Sequence, residues 1–275
     1  MTDAIQAGAT LRQLQASLPL DPLENRILLC HALGLSRVAL ITQSERALTE
    51  DEAAALAALV QRRLDGEPIA YIVGEREFFG LPFKVAPGVL IPRPDTELLV
   101  ELALERLPQG GSMLDMGTGS GAIAVACAHT RRDAQVTALD VSEEALAIAR
   151  ANAAANGASV TFLRSDWFAA TGGRRFHLIA SNPPYIAAGD VHLSQGDLRF
   201  EPAGALTDHA DGLSALRIII DGAPSHLEAG GWLLLEHGYD QAAAVRALLN
   251  ARGFAEVQSW RDLPGIERVS GGRLS

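Results

Sequence analysis

The sequence predicts an α/β chain built on a mostly parallel sheet, with a small helical domain in front of it. Three observations carry that expectation. From residue 112 onward, short apolar runs alternate with helical stretches; turn and glycine chemistry falls at the ends of those runs; and the first 70 residues show only helical spacing.

The elements follow in order. Leu11, Leu14 and Leu18 lie at helical spacing before Pro19 breaks the first element. Asp21-Pro22 reads as an N-cap followed by proline at the first helical position, and that helix runs through Ile27, Leu28, Cys30 and Leu33 to Gly34 as its C-cap. Thr49 and Glu52 form a capping box for a third helix through Leu56, Leu59, Val60 and Leu64 to Gly66. These stripes read as core, without a reactive cluster. Residues 71–92 change to β-branched and aromatic residues punctuated by Gly74, Gly80 and Pro82, as a hairpin linker would. The expected division is therefore a helical domain at 1–70, a β-hairpin linker at 71–92 and a main domain at 93–275.

Next comes Ile91-Pro92-Arg93-Pro94-Asp95-Thr96-Glu97, which crosses from the linker into the main domain as a stiff lead into a helix from Leu98. Asp95 or Thr96 caps that helix, or the segment is a lid over a ligand. Seven strands are expected, at Ser112–Met116, Gln135–Asp140, Val160–Arg164, 176–180, 231–236, 255–260 and 266–270, with helices at 122–129 and at 142–156, the latter capped by Ser142. Intervening helices imply parallel neighbours. The short connection between the last two strands implies an antiparallel hairpin at one edge.

Composition bounds the function. The chain has 275 residues, 48% hydrophobic and 20% charged, which is globular composition. A net charge of −10 argues against long duplex nucleic acid, whose binding rewards phosphate neutralisation. The two cysteines, Cys30 and Cys127, sit in apolar helical patterns and read as reduced core residues. The seven histidines are scattered, so no metal is expected. The N-terminus lacks a basic stretch followed by an apolar core, and apolar runs such as 53–60 are far shorter than the roughly 20 residues a membrane span needs. A cytoplasmic protein is expected.

Two motifs carry chemistry. Asn182-Pro183-Pro184-Tyr185 follows an apolar run; its two prolines fix the backbone and remove donors, leaving the Asn182 side chain and the Pro183 carbonyl as acceptors for a planar NH2 group, with Tyr185 to stack on it. By itself the segment is also a good turn. Asp115-Met116-Gly117-Thr118-Gly119-Ser120-Gly121 lets backbone approach a ligand ahead of a helix N-terminus, or forms a tight turn only. Its Gly-x-Gly-x-Gly spacing departs from dinucleotide sites. Asp140, ending the second strand, is placed to accept from a ribose diol, since Ser142 already caps the next helix. Asp166-Trp167 could flank an adenine. Ribose and adenine without a phosphate pattern suggest S-adenosyl-L-methionine, and the acceptors suggest methylation of an amide or amino nitrogen. Glutamine amide and adenine both remain open on this chemistry.

Here the chain closely resembles the release-factor glutamine methyltransferases called HemK or PrmC. The resemblance covers nearly the whole length and rests on Ile-Pro-Arg-Pro-Asp-Thr-Glu, Asp-Met-Gly-Thr-Gly-Ser-Gly-Ala-Ile-Ala, Ser-Asp-Trp-Phe, Ser-Asn-Pro-Pro-Tyr-Ile, Gly-Asp-Leu-Arg-Phe-Glu-Pro and Glu-His-Gly-Tyr. Asp95 stands where family members often have Glu. The resemblance implies a seven-stranded class I S-adenosylmethionine-dependent methyltransferase fold with a small N-terminal helical domain that docks the protein substrate. It implies cofactor contacts at Gly117, Thr118, Gly119, Ser120, Gly121, Asp140, Trp167 and Asn182, and substrate contacts at Asn182, Pro183, Pro184 and Tyr185. Asn182, Pro183 and Tyr185 would act in catalysis on the glutamine of the Gly-Gly-Gln loop. The implied partners are class I peptide chain release factors, with neither DNA nor membrane, and the chain would be a monomer. An N6-adenine methyltransferase, a ribosomal-protein glutamine methyltransferase, a non-catalytic cofactor-binding module and a nicotinamide oxidoreductase are the competing readings.

Overall fold

The structure, a computed structural model, describes residues 5–275. The chain divides into two compact units, one ending at Gly74 and one spanning Glu75–Ser275.

The first unit is helical, and the caps that the sequence predicts at Asp21, Gly34, Thr49 and Glu52 form. The Asp21 side chain accepts from the Leu23 N–H at the start of helix Pro22–Leu33, which Gly34 ends in the left-handed conformation. Thr49 and Glu52 close their reciprocal capping box on helix Glu50–Leu64. A second box, Thr10 with Gln13, starts helix Leu11–Ser17. Leu11, Leu14, Leu28, Leu29, Leu40, Leu56 and Val60 form the buried core. Two short helices were not expected. Arg37–Thr42 is capped by Ser36, and Ile69–Val73 runs between Pro68 and a left-handed Gly74. Tyr71, Ile72 and Val73 therefore belong to a helix and not to the hairpin; burial of Ala70, Tyr71 and Ile72 outweighs the strand propensity of Tyr, Ile and Val.

The second unit begins with an antiparallel hairpin, β1 (Glu75–Phe78) with β2 (Leu81–Lys84), and helix Thr96–Arg106. The sheet follows: β3 (Ser112–Met116), β4 (Gln135–Asp140), β5 (Val160–Arg164), β6 (Phe176–Ser181), β7 (Leu227–Glu236), β8 (Ala255–Arg261) and β9 (Glu267–Arg273). Its spatial order is β5-β4-β3-β6-β7-β9-β8. The five strands from β5 to β7 are parallel, and β9 pairs antiparallel with both β7 and β8, so the last strand of the chain is inserted next to the edge. Strands that are apolar on both sides need two covering layers. Leu99, Val100 and Val125 pack with Met113, Val136 and Leu178 on one face. Leu216, Ile219 and Val245 pack with Leu114, Ile179 and Leu233 on the other.

The topological switch lies between β3 and β6, where ligands bind in open α/β sheets. The register aligns that switch closely. Met116 is level with Leu139 of β4 and with Ser181 of β6, and Ser181 is level with Leu235 of β7. The next residue on each strand, Gly117, Asp140, Asn182 and Glu236, therefore leaves or ends the sheet at one level.

The turn after β3 depends on close helix approach. Gly121 has φ +85°, and a Cβ there would lie 3.1 Å from the Ala149 Cβ and 3.3 Å from Val125. Gly121→Ala is expected to destabilise the fold by about 1–3 kcal/mol, from left-handed strain plus overpacking, read as a lowered urea midpoint at unchanged slope.

Candidate active site

The glycine turn is pinned to the neighbouring strand. The N–H groups of Gly117 and Thr118 both donate to the Leu139 carbonyl at 2.9 Å, and the Gly119 N–H donates to Asp140 Oδ2 at 2.9 Å. Asp140 Oδ1 accepts from the Ser142 N–H at 2.9 Å, so this carboxylate fixes both the turn and the start of helix Glu143–Ala155. A carboxylate has about four acceptor directions. Two remain on Asp140 for a pair of hydroxyls.

Beneath the turn lies Asp115, fully buried; its Oδ2 accepts from the Thr118 hydroxyl at 2.6 Å and from the Ala124 N–H at 3.2 Å, while Oδ1 has no partner. Burial pushes this carboxyl up to about 7, against those two hydrogen bonds and with the charge of Asp140 adding to the rise. The same burial raises the thiol of Cys127.

A cavity of about 480 Å³ opens over this switch point, large enough for a nucleoside-sized ligand. Gly117, Gly119 and Asp140 form its floor, while Val89, Leu90 and Leu139 give it apolar walls. Trp167, Asp166, Asn182 and Pro184 line it as well. Trp167 has φ +45°, a strained backbone for an aromatic residue, held by the Ser165 hydroxyl, which donates to the Trp167 carbonyl at 2.6 Å and accepts from the Ala170 N–H. The composition of the cavity fits S-adenosyl-L-methionine: acceptors for a diol, a flat aromatic wall, apolar surface, and a glycine cradle open to backbone approach.

Of the residues that the sequence pointed to, Gly117, Gly119, Asp140, Trp167, Asn182 and Pro184 line the cavity. Thr118 and Ser120 are buried below it: the Thr118 hydroxyl binds Asp115, and the Ser120 carbonyl accepts from the Asn152 side chain at 2.8 Å. Gly121 packs on the helix behind. Pro183 is buried and Tyr185 half-buried, both outside the cavity lining. The Tyr185 carbonyl accepts from the Gln241 side chain at 2.9 Å.

The Arg93–Glu97 segment differs from both of its expected roles. Asp95 makes no side-chain cap and instead pairs with Arg268 at 3.4 Å. The residues that wall the cavity are Gly88, Val89 and Leu90, just ahead of the segment. Arg93 forms an ion pair with Glu201, whose other oxygen accepts from the Ile91 N–H at 3.0 Å. Glu201 thereby ties the segment following Gly88, Val89 and Leu90 to the segment of Pro202, Gly204 and Ala205, all of which line the cavity.

Two residues of the site escaped sequence reasoning. Thr96 is buried, and its hydroxyl oxygen accepts from Asn182 Nδ2 at 3.2 Å. Glu236, at the end of β7, is buried against Thr96 and Asn182, and desolvation pushes it up to about 7. The signals were present, since Thr96 lies in the proline-stiffened motif and Glu236 opens Glu-His-Gly-Tyr. Their partnership with Asn182 spans 86 residues in one case and required the register in the other.

Comparison with known proteins follows the same division. Residues 5–74 match the PrmC N-terminal domain family, and residues 93–205 match the methyltransferase small domain family. A release factor glutamine methyltransferase of Burkholderia pseudomallei is 57% identical over 97% of this chain and 96% of its own. That of Neisseria gonorrhoeae is 52% identical over 92% and 94%. Among solved structures, a Pyrococcus furiosus methyltransferase aligns with TM-score 0.54 at 23% identity over 78% of this chain and 95% of its own, a likeness of fold. Identity of 52–57% to curated relatives over more than nine-tenths of the chain shows that it belongs to the release factor glutamine methyltransferase family.

Proposed function

We propose that the chain transfers a methyl group from S-adenosyl-L-methionine to the side-chain amide nitrogen of the glutamine in the Gly-Gly-Gln motif of class I peptide chain release factors. The observation that carries the reading is Asn182. Its amide nitrogen is turned inward to Thr96, and its carbonyl oxygen takes no hydrogen bond from the described residues, on a cavity wall level with Gly117 and Asp140.

An amide nitrogen is a poor nucleophile because its lone pair is delocalised into the carbonyl. When bound, the cofactor supplies an electrophilic methyl on a sulfonium. Asn182 Oδ1 and the Pro183 carbonyl accept from the two N–H groups of the substrate, turning its lone pair toward that methyl, and Tyr185 packs on the flat amide. Orientation into a near-attack pose lowers the barrier by several kcal/mol, and the same acceptors stabilise charge developing on nitrogen. With the cofactor held there, its sulfonium would supply the methyl to that nitrogen and leave as the thioether, and the surplus N–H proton would pass to solvent. Asp140 would take the ribose diol, Trp167 and Asp166 would flank the adenine, and the backbone from Gly117 to Gly121, with Thr118 and Ser120 shaping it, would cradle the rest.

The helical unit before Glu75 docks the release factor. The enzyme acts as a monomer in the cytoplasm, where its substrate works, and leaves DNA unmethylated; a net charge of −10 disfavours phosphate neutralisation. Among the described residues no helix is long and apolar enough to cross a membrane.

The two sides of the cavity separate in mutation. Asp140→Ala is expected to weaken cofactor binding by about 1.5–3 kcal/mol in calorimetry, the range for hydrogen bonds to a charged group. Asn182→Ala is expected to cut turnover by about a hundredfold with a much smaller loss of cofactor affinity; equal losses in both would remove Asn182 from the substrate side. A chain beginning at Glu75 should bind the cofactor and methylate full-length release factor far more slowly. Retained turnover in that shortened chain ends the docking assignment. The substrate itself is read by tandem mass spectrometry after incubation with labelled cofactor: one methyl on the side-chain nitrogen of the Gly-Gly-Gln glutamine is expected, and label in DNA with unmodified release factor reverses the reading.

A further inference from the structure

An asparagine amide presents an acceptor or a donor according to which way it is turned. The proposed chemistry requires the carbonyl to face the substrate NH2 group. What holds it there is visible one strand away. Because Ser181 pairs with Leu235, Asn182 and Glu236 leave β6 and β7 side by side. Glu236 is 1% exposed, and its Oε2 has no hydrogen-bond partner among the described residues. Thr96 and Asn182 lie against the Glu236 carboxyl as polar neighbours that favour its charged form, and Asn182 Nδ2 donates to Thr96 Oγ1 at 3.2 Å.

A hydroxyl has one proton to give. When Thr96 gives it to a carboxylate, its oxygen offers Asn182 only lone pairs, and only the NH2 end of Asn182 can face it. The carboxylate, itself acceptor-only, imposes the same choice directly. We propose that Glu236 is a positioning residue for methyl transfer, which through Thr96 locks the Asn182 amide with its nitrogen inward and its carbonyl toward the substrate. The inference rests on the reading of Asn182 as the acceptor for the substrate amide.

The lock has a pH dependence whose sign follows from its surroundings. Burial and the charge of Asp95 raise the Glu236 carboxyl, while Thr96, Arg268 and Asn182 oppose, leaving it at about 7. Arg268 is shared with Asp95 and Asp262, each at 3.4 Å. Tyr185 faces Glu236 as well, and its phenol is pushed up by burial and by that charge, so it stays neutral. His237, next along β7, has its ring bound to Ser270 and to the Gly238 carbonyl. Glu236 thus ionises only as pH rises through about 7. Below that, the protonated carboxyl donates as well as accepts, and a turned Asn182 is tolerated. Asp115 also titrates near about 7, but beneath the cofactor turn, so its protonation bears on cofactor affinity.

The test measures kcat from pH 6 to 9 at saturating cofactor, on a class I release factor, for the wild type, Glu236→Gln, Thr96→Val and Thr96→Ser. Glutamine keeps the shape of Glu236 but carries an NH2 donor. Glu236→Gln is expected to lower kcat at least tenfold at pH 8, to leave the cofactor Kd within twofold, and to abolish the wild-type fall in kcat below about pH 7. Thr96→Val should match that loss, Thr96→Ser should recover most of it, and the Thr96→Val/Glu236→Gln pair should be no worse than either alone. Wild-type kcat and pH profile in Glu236→Gln, or a loss of cofactor binding equal to its loss of turnover, overturns the positioning role. A wild-type enzyme that leaves the release-factor glutamine unmethylated overturns the reading of the site, and this inference with it.

Discussion

The parallel register of β3 between β4 and β6 is the constraint on which the rest of the molecule depends. Neighbouring strands lie about 4.8 Å apart, so residues one step beyond level pairs emerge as close neighbours. With Met116, Leu139, Ser181 and Leu235 level across four strands, Gly117, Asp140, Asn182 and Glu236 arrive together. The Ser181 hydroxyl reinforces that level by donating to the Met116 carbonyl at 2.7 Å. A slip of one residue would turn Asn182 to the opposite face and dissolve the site.

Two buried carboxyls occupy this level for different reasons. Asp115 caps the helix after the glycine turn through the Ala124 N–H and holds Thr118, so its desolvation cost is offset partly by backbone order. Glu236 satisfies no comparable backbone group, and its Oε2 remains unpartnered. An unsatisfied buried polar atom costs about 1–3 kcal/mol. Such a cost is usual at functional sites, and here the carboxyl lies against Thr96 and Asn182. Trp167, with its positive φ, is a second strained element on the cavity wall.

The elements that the sequence described well are those whose signals are local. Asp21 and Gly34, Thr49 and Glu52, and Ser142 cap their helices through partners within a few residues, so composition at the right offset suffices. The same holds for the strands with turn residues at both ends. Where burial competes with propensity, local reading gave way: Tyr71–Val73 lies in a helix whose Ile69, Ile72 and Val73 pack on a core assembled from distant helices. Asp95 looked like a cap because it precedes a helix, yet Arg268, 173 positions later in the chain, claims its carboxylate.

By itself the sequence determined the order of elements, the alternation that makes a parallel sheet, and the motif residues Gly117, Gly119, Asp140, Trp167 and Asn182, because backbone freedom, strand-end placement and side-chain type are properties of short segments. Only the tertiary structure decided that β9 inserts between β7 and β8, that Glu201 holds Arg93 and the Ile91 N–H, and that Thr96 and Glu236 lie against Asn182. The physical reason is range. A hydrogen bond acts over about 3 Å, and which residues come within that distance across 86 or 110 positions is set by strand register and layer packing, which no local pattern encodes.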